Sequence, residues 1–199
     1  MIEQLVENVP NMTNPELIGL AKNRFMPEPV QMAIARHYYR RAHMYLCENT
    51  GLANSVRDYL YSDECNRGYV NKATLVANGH YNNQPEQIEK LYNTHGNRIF
   101  SQSPWRANQC FIRGGYWNNT TLNTSSKLLN KIYDERFARH KSEVARRGAT
   151  SYYAHNLSWG MKDMAKHPNC DLSLAIKLST CGDSNVEKLA FQKIVELSK

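Results

Sequence analysis

The residues best placed to do chemistry in this chain form three sets, and each requires a different reaction class. His167, Cys170 and Cys181 fall as H-x2-C-x10-C, a donor set of the type zinc uses. A zinc site needs three protein ligands plus water, or four, and no fourth donor stands nearby, so the spacing predicts no metal centre and no cofactor. The second set is basic: Arg136, Arg139, Lys141, Arg146 and Arg147 lie along one stretch and could neutralise successive phosphates of DNA or RNA. The third set, Arg113, Tyr116 and Trp117, mixes a cation with aromatic rings in an Asn- and Gly-rich segment and reads as a recognition loop.

Enzyme signatures are missing. There is no G-x-S-x-G elbow, no G-x-x-x-x-G-K-[ST] loop and no G-x-G-x-x-G fingerprint, and Gly114-Gly115 is an isolated pair. Acidic pairs such as Asp63-Glu64 and Asp134-Glu135 are adjacent, so on a helix they point to different sides and make no acid and base couple. The expectation is a binding protein without catalysis.

Charge points to where a partner sits. The 199 residues carry a net charge of +7, yet residues 1–100 hold ten Lys and Arg against ten Asp and Glu, while residues 101–199 hold 15 against eight. A cationic second half suits a polyanion. Five cysteines without framework spacing read as buried thiols in a reducing compartment. The opening MIEQLVENVP has neither a basic start nor a long apolar run, and no apolar stretch approaches the roughly 20 residues that span a bilayer. A cytoplasmic protein without a membrane partner is expected.

The elements that must carry these side chains are short and helical. Val56, Leu60, Cys65, Val70 and Lys72 recur 116 residues later as Leu172, Ile176, Cys181, Val186 and Lys188, and Val30, Ile34 and Met44 hold the same phase 26 residues before the first copy. Asn14-Pro15-Glu16 supplies a helix start, and Pro27 and Pro29 introduce the next helix. Helices of about ten residues are marginal alone and gain stability by stacking an apolar face on neighbours. Leu46, Leu60, Leu75 and Ile176 are therefore expected in the core. The longer pattern LLNKIYDERFARHKSEVARRGA puts Leu128, Leu129, Ile132, Tyr133, Phe137 and Val144 on one face and the basic set on the other. The expected architecture is a single all-α domain over residues 1–199, an irregular stack of short helical pairs. Residues 79–126 interrupt it, with helix expected only in QPEQIEKLYN and PWRANQCFIRG. At least one of Trp105 and Trp117 is expected to plug the joint between helical stacks.

The segments PVQMAIARH, SVRDYLYSDECNRGYVNKATLVAN and HPNCDLSLAIKLSTCGDSNVEKLAF together resemble HEAT-like short-helix repeats, or α-solenoids. The resemblance implies a curved binding surface and leaves the partner open. A related branch, the HEAT-like alkylpurine DNA glycosylases, holds a duplex on a basic face and would use residues such as Trp117, Trp159 and Asp163, though no motif maps them one by one. Two function classes stand: a nucleic-acid-binding repeat protein using the basic second half, or an adaptor or inhibitor gripping a protein partner. The Asn-rich composition also fits a bacteriophage accessory protein.

Overall fold

In the computed structural model, which describes residues 1–62, 64–65, 69–114, 122–138, 146 and 152–199, every regular element is helical. The chain divides into two compact units, Met1–His80 and Tyr81–Lys199.

The first unit contains α1 (Ile2–Asn8), α2 (Asn14–Lys22), α3 (Glu28–Arg36), α4 (Arg40–Glu48), α5 (Asn54–Tyr61) and α6 (Tyr69–Ala77). α1, α3 and α5 start at residues 2, 28 and 54, a constant step of 26. Packing follows the same step: α1 lies on α3 and α3 on α5, while α2 lies on α4 and α4 on α6. The apolar positions explain this, because Leu17, Ala21, Val30, Ile34, Leu46, Cys47, Val56, Leu60 and Leu75 are all buried. Each stripe faces the helices one step away in both directions.

Polar side chains fix the turns between helices. Thr13 opens α2, donating its N–H and Oγ1–H to Glu16 Oε2 at 2.8 and 2.7 Å, which holds the Glu16 carboxyl below its usual range. Asn23 Oδ1 accepts from Phe25 N at 3.0 Å, and one step later Asn49 Oδ1 accepts from Gly51 N at 2.8 Å. Buried Gln31 donates to the carbonyls of Met26 and Gly51 and accepts from Ala53 N, so one amide ties two consecutive turns. A Cβ at Gly51 would stand 1.9 Å from the Arg24 carbonyl oxygen. Only glycine fits.

The second unit contains α7 (Pro85–Gln102), α8 (Pro104–Asn108), α9 (Ser126–Ile132), α10 (Tyr152–Lys166), α11 (Leu172–Leu178) and α12 (Ser184–Leu197). α8 and α9 each run into a wide π-turn, Gln109–Arg113 and Tyr133–Phe137. Helix thus covers more of residues 79–126 than the sequence predicts, since α7 alone spans 18 residues. Tyr92, Phe100, Phe111 and Phe137 form an aromatic core: Phe100 stacks on Phe111 at 6.0 Å, and Tyr92 meets Phe111 edge-on at 5.2 Å. α10 comes close to this core at Gly160, where a Cβ would lie 2.7 Å from the Phe137 ring.

One core expectation needs correction. Ile176 is 53% exposed and Leu172 is also exposed, because α11 packs through Leu174, Ala175 and Leu178, which occupy the opposite side of the helix. The Val56-to-Leu172 repeat therefore matches in sequence phase but not in which positions turn inward. Trp105 is 44% exposed, and Trp117, the other residue expected at a joint between stacks, lies outside the described residues.

Candidate nucleic-acid interface

The long basic pattern folds as α9 followed by the π-turn rather than as one uninterrupted helix up to its last described residues. Leu128, Leu129, Ile132, Tyr133 and Phe137 are buried as expected, and the wide turn, closed by Ala138 N donating to Tyr133 O at 2.9 Å, keeps both rings inside. Tyr133 uses that position to donate its hydroxyl to Lys177 O at 3.1 Å.

Arg136 does not project outward. Its Nη2 donates to Asn97 Oδ1 on α7, its guanidinium sits 5.3 Å above the Phe100 ring, and its Nε is buried without a partner. The side chain braces the turn against α7. Arg146 is helical and exposed. Arg139, Lys141, Arg147 and Val144 lie outside the described residues, as do Tyr116 and Trp117 of the expected recognition loop.

Arg113, the remaining member of that loop, is exposed at the end of its π-turn and acts electrostatically on Asp163 of α10. Burial raises the Asp163 carboxyl above its usual range, while Arg113 and Lys166 pull it back down. One turn before Asp163 stands Trp159, 47% exposed, with the His155 ring 4.6 Å away. His155, Trp159 and Asp163 recur at i, i+4 and i+8, so they share a face of α10. That spacing is readable in the sequence, but nothing in the sequence brings Arg113 to it.

Charge is the most informative property of this unit. Residues 81–199 hold 17 Lys and Arg against ten Asp and Glu, and residues 1–80 hold eight of each, so the whole excess lies in Tyr81–Lys199. Apart from exposed Glu86, the described acids are engaged by their own chain. Glu135 accepts from the Tyr92 hydroxyl at 2.6 Å and stands 3.9 Å from Lys131; burial and this carboxylate together push the Tyr92 phenol up. Asp134 pairs with Lys177 at 2.9 Å, Glu89 with Lys127 at 3.9 Å and Glu196 with Lys193 at 3.6 Å. Asp171 caps α11 through Leu174 N and accepts from Asn130. Asp183 caps α12 and accepts from Ser158, bonds that hold its carboxyl low against the opposing effect of burial. Glu187 accepts from Gly182 N at 2.7 Å.

Cations remain. Lys90, Lys188 and Lys199 are exposed without an acidic partner among the described residues. Lys166 and Lys193 line a cleft of about 250 Å³ between α10 and α12 together with Ala165, Leu189, Gln192 and Glu196.

The donor set His167, Cys170 and Cys181 is engaged in folding. His167 is buried, donates from Nε2 to Leu122 O at 2.9 Å and accepts at Nδ1 from Asn169 N at 3.0 Å, so both ring nitrogens are used. The Cys170 thiol, pushed by burial to about 11, points to Asp171 O. Among the described residues no group of three or more His, Cys, Asp or Glu stands together as a metal site would require, and no helix is long and apolar enough to cross a membrane.

No family model matches the chain, and no similar protein was found among curated sequences or solved structures.

Proposed function

We propose that this chain is a non-enzymatic nucleic-acid-binding protein built of stacked short helices, HEAT-like in organisation, whose unit Tyr81–Lys199 lies along a phosphate backbone. One observation carries the reading: the unit's 17 Lys and Arg outnumber its ten Asp and Glu, and all of its described acids except Glu86 are engaged in helix caps, hydrogen bonds or charge pairs. A field of that sign concentrates polyanions and accelerates their encounter. Exposed Trp105 and Trp159 add flat rings to the cationic unit, a combination suited to nucleic acid rather than to a simple anion. The alternate packing of α1, α3, α5 and α2, α4, α6 supports the solenoid part of the proposal. Electrophoretic shift of a DNA duplex at rising salt tests it: complexes at low salt that dissociate steeply as salt rises support the reading, and no complex at low salt refutes it.

A second reading is an adaptor that grips a protein. Exposed Leu172 and Ile176 on α11 and Phe191, Val195 and Leu197 on the adjoining α12 favour it, since large apolar side chains in such numbers on two packed helices mark contact surfaces.

A further inference from the structure

Within Met1–His80 the 26-residue step makes residues 10–15 and 36–41 equivalent corners, and in sequence a third step falls on residues 62–67. The first reads Pro-Asn-Met-Thr-Asn-Pro and the third Ser-Asp-Glu-Cys-Asn-Arg. The middle one reads Arg36-His37-Tyr38-Tyr39-Arg40-Arg41. What a stack requires repeats from copy to copy, as Val30 and Val56 or Asn23 and Asn49 do here; what one copy alone carries serves something else.

Local physical chemistry argues the same way. α2 opens with the Thr13–Glu16 pair, whereas α4 opens on Tyr39 with no side-chain cap and no acid in its first turn. Arg40 and Arg41 instead occupy the positive end of the helix, where cations are unfavourable. α5 likewise opens uncapped on Ala53, but without cations in its first turn positions Asn54 and Ser55. Breaches of local rules without structural gain concentrate at functional positions.

Hydrogen bonds at His37 tie the corner's backbone, while the Tyr38 ring and the arginines stay exposed. His37 is buried, accepts at Nδ1 from Tyr39 N at 3.2 Å, and its carbonyl accepts from His43 Nε2 at 2.7 Å. The Tyr38 ring rests 4.3 Å from the His37 ring and remains 75% exposed. Arg36, Arg40 and Arg41 are exposed, and none has a carboxylate partner among the described residues. Cation and ring continue to alternate beyond the corner, with Arg36 5.9 Å over Tyr59 and Lys72 5.5 Å over Tyr61 on α5. Of the acids nearby in the chain, Asp58 is paired with Arg57, and Glu64 is exposed.

We infer that this corner binds single-stranded nucleic acid, with a base stacked on the open face of Tyr38 and neighbouring phosphates held by Arg36, Arg40 and Arg41. A guanidinium grips a phosphate bidentately, and an exposed tyrosine supplies the platform on which an unpaired base stacks. A duplex hides its base faces and can offer this corner only phosphates. The unit has no net charge, so recognition comes from this constellation and not from bulk field; it is independent of the surface proposed for Tyr81–Lys199.

Fluorescence anisotropy of the full chain tests it, using a labelled oligothymidylate of about 15 nucleotides, an abasic strand of equal length and a matched duplex. Tyr38→Ala should weaken oligothymidylate binding roughly tenfold and leave the abasic strand unaffected, while Tyr38→Phe binds as the parent does. Arg40→Ala combined with Arg41→Ala should reduce the log–log salt slope by about 1.4, at ~0.7 per phosphate of a single strand. These side chains are exposed, so melting temperatures should hold. Oligothymidylate binding unchanged in both variants, a Tyr38→Ala loss equal on all three probes, or no oligothymidylate binding by the parent at low salt overturns the inference. A parent that binds duplex but not oligothymidylate removes this corner and leaves the Tyr81–Lys199 proposal standing; the reverse pattern removes that proposal and keeps the corner.

Discussion

Asn49 donates through Nδ2 to the carbonyl oxygens of Ala21, at 2.9 Å, and of Asn23, at 3.1 Å, so that the turn at Asn23 is held by the equivalent residue one step further along the chain. Asn23 itself forms the same local turn but is exposed, being first in the series. The stack therefore depends on its buried asparagine far more than on its surface one.

Replacing Asn49 by Ala should cost about 1–3 kcal/mol, because it removes the donor to the buried Ala21 carbonyl, one of two donors to the Asn23 carbonyl, and the acceptor for the N–H of Gly51. Asn23→Ala loses one exposed bond and should cost roughly 0.5–1 kcal/mol. Urea denaturation of the two variants measures the gap, and equal losses would deny the buried bonds their role.

Glycine positions separate in the same way. Gly51→Ala forces a methyl to within 1.9 Å of a backbone oxygen that no side-chain motion can relieve, and should abolish the native turn or cost more than about 3 kcal/mol. Gly19 lies inside α2 with nothing within 4 Å of where an added methyl would stand, so Gly19→Ala should stabilise by about 0.5–1 kcal/mol. Thermal melts of both substitutions give opposite shifts on this account.

Acid should weaken the fold before carboxylates titrate. Burial lowers the folded-state pKa of His80 and His167 below 6.5, against hydrogen bonds to Cys47 O and Leu122 O that act the other way. The unfolded chain then takes up protons first, so the stability these groups leave intact above about pH 6.5 is lost as pH falls towards their folded values. Glu48 and Asp163, raised by burial, shift the balance in the opposite sense, but only in the carboxylate range. Melting temperature should fall from about pH 7.5 to about pH 5.5, and His167→Asn should flatten part of that fall. An unchanged melting temperature across the range contradicts it.

Thiol chemistry offers an independent check on packing. Cys47, Cys65, Cys110, Cys170 and Cys181 are all buried, and burial raises Cys47 strongly and Cys110 to about 12. A disulfide reagent at neutral pH should label these thiols slowly in the native protein and all five rapidly in denaturant. Fast native labelling would mean the core opens readily.

Apolar periodicity makes the first unit legible: Val30, Ile34, Val56 and Leu60 lie inside where their spacing places them. The same pattern misleads at Leu172 and Ile176, because an i, i+4 apolar pair defines a stripe without saying which stripe of the helix meets the neighbours, and here Leu174, Ala175 and Leu178 do. The π-turns at Gln109–Arg113 and Tyr133–Phe137 have no local signature; they carry Phe111 and Phe137, both of which contact Phe100 in one aromatic core. Arg136 carries its charge in the sequence, but Asn97 and Phe100, its partners, come from a different helix. The corner of Arg36 to Arg41 is hidden for a simpler reason: the first half is neutral in sum, and a balance of charges conceals a local cluster.

Salt-dependent duplex binding of the full chain, compared between Arg136→Ala and Arg146→Ala, tests the central claim most directly. The account predicts a steep parental slope on a log–log plot, reduced by about 0.9 in Arg146→Ala, as expected when one cation leaves one phosphate. Arg136→Ala should instead lower stability, since its guanidinium braces the π-turn on α7, and should leave the slope as it was. Absence of duplex binding at low salt, or affinity indifferent to salt, contradicts the proposal that this unit holds a phosphate backbone.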